Sequence, residues 1–334
     1  MSILITGGAG YIGSHMAHRL MEAGETVVVL DNLCTGVVEN LPPATHFIQG
    51  DVADQELVSQ LLVTHQVDSV IHFAGSVVVP ESVERPLDYY GNNTSASRTL
   101  IENCVRHRVP RFIFSSTAAV YGNPPTIPVS ENAPAVPMSP YGRSKLMTEW
   151  ILQDVGVAHG LRFGILRYFN VAGADPLGRT GQSTPRATHL IKRACQVATG
   201  QFPRLTIFGS DFATPDGTGV RDYIHVSDLV DIHECVLAHL RSDGPSILLN
   251  CGYGRGYSVR EVVAAVERLA GTTLAVELAA PRPGDLAMVV ADTTKLSEIL
   301  NWKPKYQDLD TIVATALAWE RRLKDQAETV SLKH

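Results

Sequence analysis

Ser2-Ile3-Leu4-Ile5-Thr6-Gly7-Gly8-Ala9-Gly10-Tyr11-Ile12-Gly13 stands at the head of the chain, and its reading decides the fold. Ser2 to Thr6 is a short apolar, β-branched run, as expected of a strand buried on both faces of a parallel sheet. Glycines follow at once. Ser14 to Ala23 then carries Met16, Ala17, Leu20 and Met21 at helical spacing. Strand, glycine loop and helix in that order are the context of a dinucleotide-binding turn. Gly7, Gly10 and Gly13 let the backbone turn tightly and approach a pyrophosphate at the helix N-terminus. Thr26 to Leu30 predicts a second strand, ending at Asp31, 18 residues past Gly13. A carboxylate there accepts the hydroxyls of an adenosine ribose and repels a 2′-phosphate, which favours NAD over NADP.

The βα alternation continues. Strands are predicted at Phe47–Val52, Ser69–Phe73, Arg111–Ser115 and Arg162–Phe169, with a helix over Asn92–Arg106. Asp51, after the third strand, suits either the adenine amino group or the cap of the next helix. Ala74 and Gly75 are small where a cofactor passes close to the backbone. Thr117 follows the fifth strand, at the carboxyl end where open α/β sheets bind ligands, and can hydrogen-bond a substrate hydroxyl. Pro80–Tyr90 reads as a loop and helix entry, and Asn123–Pro140 as a proline-rich loop. From Asn170 the alternation fails. Ala172–Pro185 and Gly209–Gly219 are long polar loops, and helices are expected at His189–Thr199, Val226–Leu240, Val259–Leu269 and Leu309–Leu323. Ile247–Asn250 reads as a strand returning to the main sheet. The expected fold is a Rossmann-type doubly wound parallel sheet, residues 1–169 with 220–252 returning to it, and a smaller substrate lobe within 170–334.

Chemistry concentrates at Ser139-Pro140-Tyr141-Gly142-Arg143-Ser144-Lys145. Ser139 and Pro140 make a helix entry, and Gly160 a stop. Tyr141 and Lys145 then lie one turn apart on one face. An ammonium there favours the phenolate, making Tyr141 a base. Leu146, Trp150, Ile151 and Val155 are expected to form the buried stripe of this helix.

The 334 residues suit two lobes, and 45% hydrophobic with 19% charged residues marks a folded globular chain. A formal net charge of −6 argues against nucleic-acid and anionic-membrane partners. Five cysteines without a C-x-x-C pair read as reduced thiols of a cytoplasmic protein. Twelve histidines without metal-site spacing predict no metal. The N-terminal apolar run is a strand rather than a signal peptide, and no run approaches a membrane span.

These motifs, in this order over almost the whole chain, resemble the extended short-chain dehydrogenase/reductase family, and within it the nucleotide-sugar 4-epimerases. The resemblance rests on Ile5 to His15, His72-Phe73-Ala74-Gly75, Tyr89-Tyr90-Gly91-Asn92-Asn93, Ser115-Ser116-Thr117, Tyr141 with Lys145, Arg167-Tyr168-Phe169-Asn170, Gly217 to Val226, and Arg282-Pro283-Gly284-Asp285. It implies reversible inversion at C4 of a UDP-hexose, UDP-glucose and UDP-galactose first, by transient hydride transfer to tightly held NAD. Tyr141, Lys145 and Thr117 are then catalytic. Gly7, Gly10, Tyr11, Ile12, Gly13, Asp31, Asn32, Asp51, Val52, Phe73, Ala74, Gly75, Arg85, Asn92 and Tyr168 join Tyr141 and Lys145 around the cofactor. Asn170 is assigned to a phosphate or the sugar, Arg221 and Arg282 to the pyrophosphate, Asp285 to the uridine ribose, and Thr206 to Phe208 to the uracil. His189, Leu190, Tyr223 and Val289 complete the substrate list. A homodimer through the Asn92–Arg106 and Tyr141–Ala158 helices is also implied.

Three departures from the family pattern stand out. Thr117 replaces the commoner serine and keeps its donor and acceptor. Arg85 replaces lysine, keeping the cation with another geometry. Ala118-Ala119 stands where 4,6-dehydratases carry an acidic pair, so elimination lacks its acid and base. Val289, four residues past Asp285, is small where hexose-restricted members carry tyrosine, which implies room for N-acetylhexosamines. UDP-pentose epimerisation, net NAD-linked oxidoreduction and a non-catalytic NAD-binding scaffold are the competing readings.

Overall fold

Ile3 and Ile5 point to one face of the first strand and Leu4 to the other, and each side finds a separate core. That alternation organises the larger layer of the computed structural model, which describes residues 1–184, 187–282 and 284–331. In chain order its elements are β1 (Ser2–Thr6), α1 (Tyr11–Glu22), β2 (Val27–Asp31), β3 (His46–Gln49), α2 (Gln55–Thr64), β4 (Val67–His72), α3 (Val79–Glu84), α4 (Pro86–Tyr89), α5 (Ala96–Arg106), β5 (Arg111–Thr117), α6 (Pro140–His159) and β6 (Arg162–Tyr168). Then come β7 (Asn170–Ala172), α7 (Leu190–Ala198), β8 (Leu205–Phe208), β9 (Val220–His225), α8 (Val226–Arg241), β10 (Ile247–Cys251), β11 (Gly256–Ser258), α9 (Val259–Ala270), β12 (Val276–Ala279), β13 (Met288–Val289), α10 (Thr294–Leu300) and α11 (Leu309–Ser331).

Seven parallel strands form the main sheet in the order β10-β6-β5-β4-β1-β2-β3. This is the expected Rossmann-type doubly wound sheet. Met16 and Leu20 of α1 with Leu229 and Val236 of α8 cover one face, and Val58, Leu100 and Leu152 of α2, α5 and α6 the other. The strand order reverses between β1 and β4, so the loops that leave them diverge and open a crevice at the carboxyl edge.

A second layer is built on β9, which pairs with β7, β11 and β13, and on the β8–β12 pair. Ile191, Val262, Val266, Ile312 and Leu317 of α7, α9 and α11 form its core. Within residues 220–252, β9 lies in this small sheet, while α8 packs on the large sheet and β10 joins it. Between the layers, Val120, Tyr121, Leu146, Phe169 and Ala291 pack together. Val129 pairs there with the chain after β13: its N–H donates to Val290 O at 2.8 Å, and Asp292 N–H donates to Val129 O at 2.8 Å.

Some local expectations are corrected. Trp150 is 53% exposed rather than buried, and the inward face of α6 carries Ser144, Lys145, Leu146, Thr148, Glu149 and Leu152. Apolar spacing misread it because polar residues with buried partners hold half of that face. Asp54, not Asp51, caps α2, accepting from the N–H groups of Glu56 and Leu57. Much of Pro80–Tyr90 is helical, and a wide π turn over Tyr90–Ser95 precedes α5. The strands β7, β11 and β13 and helix α10 were not anticipated, since two to seven residues carry little periodic signal. Helix α11 continues past Leu323 to Ser331. Pro185 and Pro283 of the quoted loops lie outside the described residues.

Candidate active site

The first turn of the chain is shaped by what would not fit. Gly7 adopts φ +68, and a Cβ there would meet Ala74 N at 2.5 Å. A Cβ on Gly13 would lie 2.3 Å from Gly7 O and 2.6 Å from Gly8 Cα. The loops after β1 and β4 therefore touch backbone to backbone. Gly10 caps α1 with no side chain, leaving the helix N-terminus open to an anion. Tyr11 follows, and its hydroxyl donates to Gly173 O at 2.6 Å, tying α1 to the chain after β7. Ile12 packs half-buried on the first core.

Asp31 ends β2 buried. Its Oδ2 accepts from Ala9 N–H at 2.9 Å and its Oδ1 from Leu33 N–H at 2.8 Å. These bonds hold the carboxylate rigid and leave a lone pair on each oxygen for ribose hydroxyls. Asn32 donates to Asp51 Oδ2 at 2.9 Å, and Asp51 Oδ1 accepts from Ala53 N–H at 2.8 Å. Val52 beside it is buried. The cradle without a Cβ, the uncapped helix and the anchored carboxylate fit a dinucleotide whose ribose carries no 2′-phosphate.

Across the switch point, Gly75 lies close to α6: a Cβ on it would lie 2.9 Å from Asn93 Oδ1 and 3.4 Å from Lys145 Nζ. Asn92 donates to Ser76 Oγ at 2.9 Å. Asn93 is buried and was not singled out from sequence. Its Oδ1 accepts from Ser76 N–H at 2.7 Å and its amide donates to Ser76 O at 3.0 Å and Ser144 Oγ at 3.1 Å, so it binds the Gly75–Ser76 turn to α6. Its sequence signal was a pair of amides inside a helical stretch. Phe73 and Tyr168 pack against His233 below the strand ends, with Tyr168 Oη 2.5 Å from His233 Nε2. Arg85 is exposed between α3 and α4, its guanidinium 2.5 Å from Asp88.

Ser139 caps α6 as expected, accepting from Gly142 N–H at 3.1 Å, and Gly160 closes the helix in the left-handed region. Tyr141 is half-buried with its ring edge-on to Tyr89, centroids 6.4 Å apart. Burial pushes its pKa up, and the Thr117 hydroxyl beside it pulls it back. Thr117 Oγ1 accepts from Ala119 N–H at 3.1 Å, so its own proton is free to donate. Lys145 is buried. Its Nζ donates to Ser115 O at 2.9 Å and lies 4.9 Å from the centre of the Phe114 ring. Desolvation pulls the amine down to about 8. The Lys145 ammonium is thus turned onto the Ser115 carbonyl, and in the protein alone burial is the larger influence on Tyr141.

The second layer contributes the opposite wall. Val289 stands in register with Arg221 on neighbouring parallel strands and packs on the cluster that includes Tyr121 and Phe169. Arg221 is held by its own backbone, donating to Val220 O at 2.9 Å. Burial lowers its pKa, Tyr223 and Asp285 raise it, and Arg282 lowers it. Those four side chains thus share one electrostatic neighbourhood. Tyr223 is buried, and Asn170 is exposed in register with it. Arg282 pairs with Asp285 at 3.0 Å and lies 4.9 Å from the centre of the Phe208 ring, two residues from Thr206. His189 and Leu190 open α7, the histidine exposed with its Nδ1 3.4 Å from Gln182 and the leucine packed on the second core. Through that core Leu190 shares a cluster with Tyr223 of the Arg221 group.

A hydroxyl at the end of β5 and a phenol and an amine on α6, between a dinucleotide cradle and an arginine-lined wall, are equipped for proton transfer beside a bound dinucleotide. Residues 3–252 match the model of the family described as the NAD dependent epimerase/dehydratase family. A UDP-glucose 4-epimerase of Azospirillum brasilense is 56% identical over 96% of this chain and 92% of its own. The crystal structure of UDP-glucose 4-epimerase from Brucella ovis in complex with NAD is 42% identical, covers 96% of this chain and 98% of its own, and superposes with a TM-score of 0.93. The UDP-Glc/GlcNAc 4-epimerase of Campylobacter jejuni is 44% identical over 96% of this chain and 99% of its own, with a TM-score of 0.84. With its motifs, sheet order and site walls all of one kind, this chain belongs to the NAD-dependent epimerase/dehydratase family.

Proposed function

We propose that this protein inverts UDP-sugars at C4, interconverting UDP-glucose and UDP-galactose, with NAD held throughout the cycle. The observation that carries the reading is Lys145 against the Gly75 turn with Thr117 beside Tyr141, while Val289 packs on the Val120–Tyr121 cluster that directly follows Thr117. When bound, NAD would supply a hydride acceptor, the donor for the return step and a positive charge. Tyr141 takes the proton from the C4 hydroxyl as hydride leaves that carbon. Moving its pKa from ~10 to ~7 needs about 4 kcal/mol in favour of the phenolate. Burial opposes that shift, so the positive charges around it must supply more. Lys145 provides one of them and orients a ribose hydroxyl. Thr117 donates to the sugar oxygen and steers the proton.

Arg221 and Arg282 grip the pyrophosphate with charge-assisted bonds. Asp285 holds the uridine ribose, and the Phe208 ring under Arg282 offers the uracil a face. Held by its nucleotide, the 4-keto sugar turns over and receives the hydride on its other face. Val289 leaves space for that rotation and for an N-acetyl group, so UDP-N-acetylhexosamines are second substrates. The likeness to a relative named for both UDP-Glc and GlcNAc supports this width. In this reading the larger sheet is the NAD lobe and the second layer the UDP-sugar lobe. The exposed Trp150 supports a homodimer through α5 and α6. Five unbridged cysteines suit a cytoplasmic setting. The test is a panel of UDP-sugars with analysis of nucleotide released on denaturation. Turnover at C4 with NAD or NADH released supports the reading. NADP, or no UDP-sugar turned over, overturns it.

A further inference from the structure

Glu149 is fully buried on α6, one turn beyond Lys145 and two beyond Tyr141. Its Oε1 accepts from Arg167 Nε at 3.0 Å and from the Ser116 hydroxyl, and its Oε2 accepts from Arg167 Nη2 at 2.6 Å. Ser116 and Arg167 stand in register on β5 and β6, each one residue before the pair Thr117 and Tyr168. The Arg167 guanidinium also lies 4.7 Å from the centre of the Tyr121 ring, in the short helical turn directly after Thr117. Its Nη1 has no hydrogen-bond partner among the described residues, which suits a nitrogen held against that ring. Tyr121 in turn donates to Asn250 Oδ1 on β10 at 2.6 Å.

Stability does not call for this arrangement. A buried ion pair generally gains nothing over an apolar pair of the same shape. It does fix geometry, because a guanidinium fork on a carboxylate sets orientation as well as distance. We propose that Glu149, Arg167 and Ser116 form a positioning clamp. It sets the rotation of α6 against the ends of β5 and β6, so that Tyr141 and Lys145 meet Thr117. The three are positioning residues, since none is hydrogen-bonded to Tyr141 or Lys145 among the described residues. The inference rests on the epimerase reading.

The test is the Glu149→Leu/Arg167→Met double variant, which removes both buried charges together, beside Glu149→Asp, which keeps the pair on a shorter arm. Tm, bound nucleotide, KM for UDP-galactose, kcat and the pH profile of kcat are measured for each. The clamp predicts a double variant with Tm, nucleotide content and KM near wild type and kcat down by ~10- to 100-fold, the scale of a small misplacement. The acid limb of its pH profile moves to higher pH as Tyr141 loses the Thr117 hydroxyl. Glu149→Asp falls between the two. Wild-type kcat and pH profile in the double variant overturn the clamp, as does a parallel loss of Tm, nucleotide and KM in both variants. Failure of wild type to convert UDP-galactose is a separate result: it overturns the epimerase reading, and the clamp with it.

Discussion

Lys145 Nζ donates to the carbonyl oxygen of Ser115 across 2.9 Å, so the buried ammonium is anchored to the strand that carries Thr117. Tyr141 and Thr117 are thereby set on one frame, while desolvation draws the amine down to about 8.

This relationship predicts the pH profile. The acid limb of kcat reports deprotonation of Tyr141, and the alkaline limb reports loss of charge on Lys145 near pH 8. Lys145→Met should lower kcat at pH 7 by ~100-fold and abolish the alkaline limb. Tyr141→Phe should cost at least ~100-fold with UDP binding unchanged. Stability follows with a definite sign. The folded amine titrates near 8. The unfolded one titrates near ~10.4, so between those values the unfolded chain binds more protons. Wild type should gain stability relative to Lys145→Met as pH rises through that window. A difference in Tm that is flat with pH would remove burial as the cause.

Gly13 and Gly91 form a steric pair of tests. Gly13→Ala places a methyl 2.3 Å from Gly7 O and should cost about 1–3 kcal/mol together with the bound nucleotide. Gly91→Ala meets nothing within 4 Å and should be neutral or stabilising by up to about 1 kcal/mol. Thermal melts with nucleotide analysis distinguish them. A Gly13→Ala protein that melts like wild type with NAD bound contradicts the cradle.

How far these positions were legible depended on the kind of signal each carried. The glycine turn, Asp31 and the Tyr141–Lys145 pair could be read because each depends on spacing within one segment. The doubly wound parallel sheet followed from βα alternation. The Glu149–Arg167 contact could not be read, since it joins residues on different elements and looks like two surface charges in the chain. Trp150 was misplaced for the complementary reason: polar residues with partners elsewhere took the buried face that apolar spacing assigned to it. The partners of β9 were missed because they pair with it across long loops and are only two or three residues long.

Val289 bears on substrate width. Wild type should convert UDP-N-acetylglucosamine as well as UDP-glucose. Val289→Tyr should lose at least ~10-fold in kcat/KM for the N-acetyl pair relative to the hexose pair, because a phenol fills the volume the acetyl group sweeps. Equal losses on both pairs would show that this position does not set width.

Trp150 tests the assembly. A tryptophan 53% exposed on α6, with Met147 one turn before it at 38%, is suited to a self-complementary face. Light scattering should give twice the chain mass for wild type and one chain mass for Trp150→Glu, with the secondary structure of each intact. A wild-type monomer at assay concentration contradicts the dimer.

The central claim is that one hydride leaves C4 and returns to it within a cofactor that stays bound. The most direct measurement gives the purified protein UDP-galactose deuterated at C4, with no nicotinamide nucleotide added. The account predicts many turnovers to UDP-glucose with the deuterium still at C4. A reaction that stops after one turnover, requires added NAD, or loses the label to solvent would contradict it.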